Sequence, residues 1–300
     1  MRGGVQVLER ILSRFRRHMA EIEIETNGGS FRPGGTIDIQ VTIRPKTAVK
    51  VNSGQLELTC TERSWRKNPT AESDEGRLET HNALSQPLIQ SFIADTELTG
   101  SDPVVRYARL RIPKGAPPTV HGSIAQVSWE VTSRLTLGSG QQVTNSQEIT
   151  VLTYPVINPG RSAAELTEEA TFTGCTLAMV LVNDSVGAGN YLEGELRTCM
   201  NTTDHAKDIR VELLSKEISG DREGESVLEQ VSLESNIQLT VNHPYVWPFS
   251  LPVPKRTLPT VKNGRTNISW RLRAVVETKQ QDESYSLERA VQIFTSTSQS

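Results

Sequence analysis

From Ile112 the chain reads IPKGAPPTVHGSIAQVSWEVTSRL, and from Val253 it reads VPKRTLPTVKNGRTNISWRLRAVV. Pro113-Lys114 falls on Pro254-Lys255, Pro118-Thr119-Val120 on Pro259-Thr260-Val261, and Ser128-Trp129 on Ser269-Trp270, all at one offset of 141 residues. A repeat of that period is a duplicated domain, not a solenoid unit. The 300 residues suffice for two domains with a core each. Weaker echoes extend the match. Tyr191 to Gly194 repeats Phe31 to Gly34 at offset 160, and Val211-Glu212-Leu213 repeats Leu56-Glu57-Leu58 at offset 155. The offset falls along the chain, so the second copy has the shorter connections. Most of the shortening lies in the interval that holds Ser64 to Ala83, which is therefore largely peculiar to the first copy.

Within each copy the apolar residues alternate with period two. Ile37, Ile39, Val41 and Ile43 do so, as do Leu56, Leu58 and Cys60, then Ala125, Val127, Trp129 and Val131. The second copy answers with Ile209, Val211 and Leu213, with Trp247, Phe249, Leu251 and Val253, and with Ile268, Trp270, Leu272, Ala274 and Val276. This is the pattern of antiparallel strands with one face on a core. Trp129, Trp247 and Trp270 all read as core positions, and Cys60 as a small buried thiol. Pro113 ends a strand by removing a backbone donor, and Pro117-Pro118 hold the following connection extended. The expected fold class is all-β: two tandem antiparallel immunoglobulin-like β-sandwiches with a short N-terminal amphipathic helix. The expected boundaries are 1–20 for the helix, 21–154 for the first sandwich, 155–170 for a linker, 171–295 for the second sandwich and 296–300 for a polar tail.

The helix is read from Leu8, Ile11, Leu12, Phe15 and Met19, which share one face, with Arg10, Arg14 and Arg17 on another. Two readings stay open. Its apolar stripe can pack on the first sheet, or it can lie in the headgroup boundary of an anionic membrane with Arg10, Arg14 and Arg17 on phosphates and Phe15 in the apolar layer. The arginines also interrupt every apolar run there, which leaves no room for a secretory signal, and no run reaches the ~20 apolar residues that span a bilayer. The three cysteines are odd in number and far apart, with no CxxC unit. Together these imply a reducing, cytoplasmic setting. The charge is nearly balanced, 32 basic against 35 acidic residues, and aromatic content is low. Both speak against nucleic acid as a partner.

Ser64 to Ala83 carries Pro, Gly and mixed charge without an apolar face, so it reads as a long loop between two strands. Loops of that length in a sandwich are uncommon unless they bind something or are disordered. Trp65, Arg66, Lys67, Asp74, Glu75 and Arg77 in this loop are the candidate partner-binding residues. No catalytic constellation stands out. The five histidines are scattered, no nucleophile elbow, phosphate-gripping glycine loop or H-E-x-x-H is present, and no cofactor or metal is expected.

Three signposts, taken in order, resemble the arrestin-like superfamily. They are Arg32-Pro33-Gly34-Gly35 leading into the first long strand, Gly54-Gln55-Leu56-Glu57-Leu58-Thr59-Cys60-Thr61-Glu62 in the pattern GxLELxCxE, and Ile112 to Gly122 followed by Val127 to Val131. The chain has Trp129 where that family more often has Tyr. The resemblance covers about residues 21 to 295 and recurs in the second half. It implies a non-enzymatic adaptor or scaffold that binds proteins, as in the arrestins, the retromer cargo subunit and the bacterial sporulation-control proteins. It also likens the Ser64–Ala83 stretch to the arrestin finger loop by placement. The chain lacks a PPxY segment, and the buried charge cluster of visual-type arrestins does not map onto its residues. The basic N-terminal stretch is closest in kind to the sporulation-control group. The expected function is thus an adaptor engaging protein partners through loops and sheet edges, with an anionic membrane surface as a further contact. The alternative is a ligand- or carbohydrate-binding β-sandwich module, which would need clustered exposed aromatics.

Overall fold

The computed structural model describes residues 19–68, 76–100, 102–153, 162, 164–279 and 284–295, and all regular structure among them is β. The first copy runs β1 (Ala20–Thr26), β2 (Ser30–Phe31), β3 (Thr36–Pro45), β4 (Val49–Lys67), β5 (Gly76–Asn82), β6 (Leu88–Leu98), β7 (Val104–Arg111), β8 (Val120–His121), β9 (Gln126–Leu137) and β10 (Gln142–Val151). The second runs β11 (Thr167–Thr171), β12 (Cys175–Leu181), β13 (Ser185–Gly187), β14 (Tyr191–Met200), β15 (Asp204–Ser219), β16 (Arg222–Leu239), β17 (Pro244–Pro252), β18 (Val261–Asn263), β19 (Thr266–Thr278) and β20 (Ser284–Phe294). The first sandwich pairs the sheet β1-β3-β7 with the sheet β2-β10-β9-β4-β5, where β6 also joins β4 and β8 joins β9. The second pairs β11-β12-β14-β17 with β13-β20-β19-β15-β16, where β18 joins β19. The all-β tandem sandwich expected from the alternation is what the chain forms.

The alternation sets the cores. Ile37, Ile39, Val41 and Ile43 of β3, Leu56, Leu58 and Cys60 of β4, and Val127, Trp129 and Val131 of β9 are all fully buried. Ile209, Val211 and Leu213 of β15 and Ile268, Trp270, Leu272, Ala274 and Val276 of β19 fill the second core. Each buried aliphatic side chain contributes about 1.5–3 kcal/mol. Trp270 is anchored as well as buried, because its Nε1 donates to the Leu258 carbonyl at 3.0 Å. Trp247 differs from expectation. It is only half-buried, because Tyr245 and Trp247 lie toward the open end of β17 and only Phe249 and Leu251 reach the core.

The duplication repeats down to single hydrogen bonds. Gly34 (φ +77°) and Gly189 (φ +90°) each lie against a lysine, and a Cβ there would sit 3.2 Å from Lys114 Cγ and 3.0 Å from Lys255 Cγ. The counterpart of Gly34 is therefore Gly189 at offset 155, not the Gly194 that the sequence echo at offset 160 implied. A left-handed conformation and a close neighbour both call for glycine. Thr119 N donates to the Val151 carbonyl while Val151 N donates to Thr119 Oγ1, at 2.8 and 2.9 Å. Thr260 and Ile293 repeat that clamp at 2.7 and 2.8 Å.

Two expectations change. Ser64–Ala83 is not a loop but most of a hairpin arm: β4 continues to Lys67 and β5 returns from Gly76, in register from Thr61↔Asn82 to Lys67↔Gly76. Thr167–Thr171, read as the end of a linker, is the strand β11, which pairs with β12. The N-terminal helix, with Arg10, Arg14, Phe15 and Arg17, lies outside the described residues, and Ala20 already opens β1. The chain forms two compact units that interleave along the sequence. One gathers Met1–Cys60, Leu84–Lys114 and Trp129–Thr150, the other Thr61–Ala83, Gly115–Ser128 and Val151–Ser300.

Candidate functional site: a β-arm with clustered arginines

The arm of β4 and β5 belongs to the second of these units, and its local sequence explains why it was hard to see. Its inward positions on β4 are polar: Glu62 is 4% and Ser64 1% exposed. Buried carboxylates need hydrogen bonds, and Glu62 finds one outside the arm, where its Oε1 accepts from Arg265 N at 3.1 Å. The turn Gly220-Asp221 docks beside it. Asp221 N donates to the Trp65 carbonyl at 3.0 Å, Lys67 N donates to Asp221 Oδ2 at 3.1 Å, and Ser219 Oγ donates to the Arg63 carbonyl at 3.1 Å. Gly220 has φ +61°, and a Cβ there would lie 2.2 Å from the Trp65 carbonyl oxygen. Only glycine fits that approach. The Arg222 guanidinium lies 5.4 Å from the centre of the Trp65 ring, within cation–π range.

On the arm, basic groups converge on one carboxylate. Glu79 lies 2.8 Å from Arg77 Nη2, 3.5 Å from Arg66 Nη1, 3.6 Å from His81 Nε2 and 3.8 Å from Arg265 Nη1. Arg265 Nη1 is also 2.9 Å from His81 Nε2. The hydrogen bond from Arg77 holds the Glu79 carboxyl below its ordinary range, and the nearby Arg66 charge adds to this against the opposing effect of desolvation. Glu79 is 15% exposed while Arg66, Arg77 and Arg265 are 61, 77 and 52% exposed. Three guanidiniums surround a single carboxylate, so the cluster carries an excess of two positive charges before any histidine protonation. Such a set can offer planar, bidentate donors to carboxylate or phosphate groups.

Of the residues singled out in the sequence, Arg66 and Arg77 come together at Glu79, while Trp65 and Lys67 are tied to the Gly220-Asp221 turn and Arg222. Asp74 and Glu75 lie outside the described residues. Sequence reasoning missed Glu62, Glu79, His81 and Arg265. One signal could have found Arg265. In the repeat it stands at the place of Ile124, so a charge replaces an apolar residue, and Asn263-Gly264 stands at the place of Gly122-Ser123. Elsewhere, among the described residues, no group of three or more His, Cys, Asp or Glu could hold a metal ion. No helix among them is long and apolar enough to cross a membrane.

Comparison with known families bears on the first half of the chain. Residues 16–156 match the family model described as Arrestin (or S-antigen), C-terminal domain. No relative among curated proteins matches the chain. Domains of this family generally bind proteins and act as adaptors or scaffolds without catalysis. The match spans just under half of the chain and covers the first copy, so residues 16–156 are similar to that family's domain.

Proposed function

We propose that the protein is a non-enzymatic arrestin-like adaptor that engages an acidic segment of a protein partner through the β4–β5 arm. The observation that carries this reading is the cluster at Glu79, where Arg66, Arg77 and Arg265 stand largely exposed around one carboxylate. The arm is the element by which the first copy departs most from the second, and differences between duplicated domains are where separate functions arise. Its base is fixed by the Gly220-Asp221 turn, so the charges are presented on an ordered support, which limits the ordering cost of binding. A cytoplasmic setting fits the free thiols of Cys60, Cys175 and Cys199.

Photo-crosslinking in the native host from a reactive side chain at Leu78, exposed beside Arg77, tests this. The unaltered chain should give discrete crosslinked proteins, and Arg66→Glu with Arg77→Glu should remove them without lowering the thermal midpoint. Crosslinks that survive both reversals would end the reading. The alternative of a carbohydrate-binding module gains nothing from the aromatics on β17. Tyr245 and Trp247 stack on each other, 5.7 Å apart and 7° from parallel, so they cover one another's faces rather than presenting a platform to a sugar.

A further inference from the structure

We propose that the free edge of β16 is a second protein-binding surface, one that takes up an extended basic peptide as an added strand. This rests on the adaptor reading but uses a surface separate from the arm. β16 closes its sheet: it pairs with β15 on one side and is the end of the strand order. At 18 residues it is the longest such edge among the described residues, against 11 for β6, 9 for β17 and 8 for β7. An edge strand presents alternate N–H and C=O groups that template another strand.

Three of the other edges carry devices that reject a strand. β17 has Pro244, Pro248 and Pro252, each lacking a donor. β11 is five residues long. β7 points Arg106 to its half-buried side, an inward charge of the kind that blunts edges. β16 has no proline from Arg222 to Leu239. Although Glu229 lies on its half-buried side, Asn236 is left-handed and two register shifts interrupt its pairing with β15, the run from Arg222 to Val227 pairs without interruption. Midway along it, beside the register shift at Leu213/Leu214, Val227 and Leu228 stand 46 and 40% exposed. These offer apolar contact to alternate side chains of an incoming strand.

Charge selects the occupant. β16 bears Glu223, Glu225, Glu229 and Glu234 against the single Arg222. Glu223 is paired with Lys216 and Glu225 with Arg271. Neither Glu229 nor Glu234 makes an ion pair among the described residues. A second copy of β16 laid antiparallel would set glutamate against glutamate, which is destabilising. A strand with Lys or Arg at alternate positions and β-branched residues between them meets both the carboxylates and the apolar pair.

The probe is a fluorescein-labelled synthetic peptide of alternating Lys and Val, titrated into the full chain and followed by anisotropy. Saturable binding is expected, weakening as salt is raised. Glu229→Lys with Glu234→Lys should weaken it about tenfold, the scale of one or two charge pairs, with the thermal midpoint unchanged. N-methylation of alternate peptide amides should abolish binding in one phase and spare it in the other, as only a strand ladder requires. Arg66→Glu with Arg77→Glu should leave this binding intact, so failure of the arm and failure of the edge are read separately. Binding indifferent to the glutamate reversals, or N-methylation with equal effect in both phases, would overturn the proposal. So would concentration-dependent self-association that Arg106→Glu and Arg109→Glu in the basic strand β7 abolish, since the occupant would then be a second copy.

Discussion

Glu212 sits between two guanidiniums. Arg210 Nε donates to its Oε1 at 2.6 Å and Arg273 Nε to its Oε2 at 2.7 Å, while its side chain is only 5% exposed. Burial opposes the charged carboxylate, but the two arginines outweigh it and hold the group below its ordinary value of 4.5. The contribution is therefore complete above that value and is lost as pH falls through the lower folded one. Glu212→Gln keeps the shape but leaves two cations facing a neutral amide, and should cost about 1–3 kcal/mol at neutral pH. The loss should shrink as pH falls below 4.5 and the carboxylate is protonated, first in the unfolded and then in the native chain. Denaturant melts of both proteins across pH check this, and a constant difference down to strongly acid pH would contradict it. At the same scale, burial pushes the Cys175 thiol up to about 11, and Cys60 is fully buried. Iodoacetamide on the native protein should therefore label Cys199 first, and all three cysteines only after unfolding. Cys60 was legible as a buried thiol because its strand alternates with period two. The Glu212 cluster was not, because Arg273 reaches it from a strand some sixty residues on, and sequence spacing carries no trace of that pairing.

Among the elements, the arm marks where sequence reading stopped. Strands whose buried faces are apolar announce themselves, and β3, β4 as far as Cys60, β9, β15 and β19 were all read correctly from alternation. Beyond Cys60 the buried positions become Glu62 and Ser64, and the alternation turns polar on both faces. What orders this part of the chain is tertiary: the Gly220-Asp221 turn and Arg265, more than 150 residues away. Gly220→Val tests that account, since its Cβ would collide with the Trp65 carbonyl oxygen at 2.2 Å and the residue would be held at φ +61°. It should cost about 1–3 kcal/mol and raise amide exchange in 61–67 and 76–82, while the β1-β3-β7 sheet keeps its protection. Uniform loss of protection everywhere would show that the arm has no separate stability. For the stretch before Met19 the sequence alone speaks. If its apolar stripe enters a bilayer surface, the chain should float with anionic vesicles at low salt, and Arg10→Glu with Arg14→Glu and Arg17→Glu should abolish flotation. Equal behaviour of the two would sink the reading in which these arginines hold the chain on an anionic surface.

At the scale of the whole chain, the repeat that revealed two copies also marks how they are joined within the second unit. Glu62 of the first copy accepts from Arg265 N in the second copy's β18–β19 turn. Glu217, its counterpart at offset 155, accepts from Ile124 N and Ala125 N in the first copy's matching turn, at 3.3 and 3.4 Å. Ile124 and Arg265 correspond at offset 141, so each copy's carboxylate grips the other's turn. Thr153 and Thr295 repeat the reciprocity, each backbone N donating to the other's Oγ1 at 3.1 and 3.0 Å. Two copies of a domain were legible in the sequence. That Thr61–Ala83 and Gly115–Ser128 of the first copy join the second unit was not, because the repeat looks the same whether a carboxylate serves its own copy or the other. The second unit thus includes Thr61–Ala83 and Gly115–Ser128, and a fragment of residues 156–300 lacks both. Losing the five hydrogen bonds to Glu217, Asp221 and Arg265 N should destabilise its fold by about 2.5–7.5 kcal/mol, at roughly 0.5–1.5 kcal/mol per hydrogen bond. Its urea midpoint should fall below that of the transition reported by Trp270 in the full chain. Glu217→Gln should lower the full chain's midpoint yet leave the fragment unaffected, because the fragment has no Ile124 or Ala125 for that carboxylate to hold. A fragment as stable as the full chain, or one equally sensitive to Glu217→Gln, would refute these first-copy segments as a source of stability for the second unit.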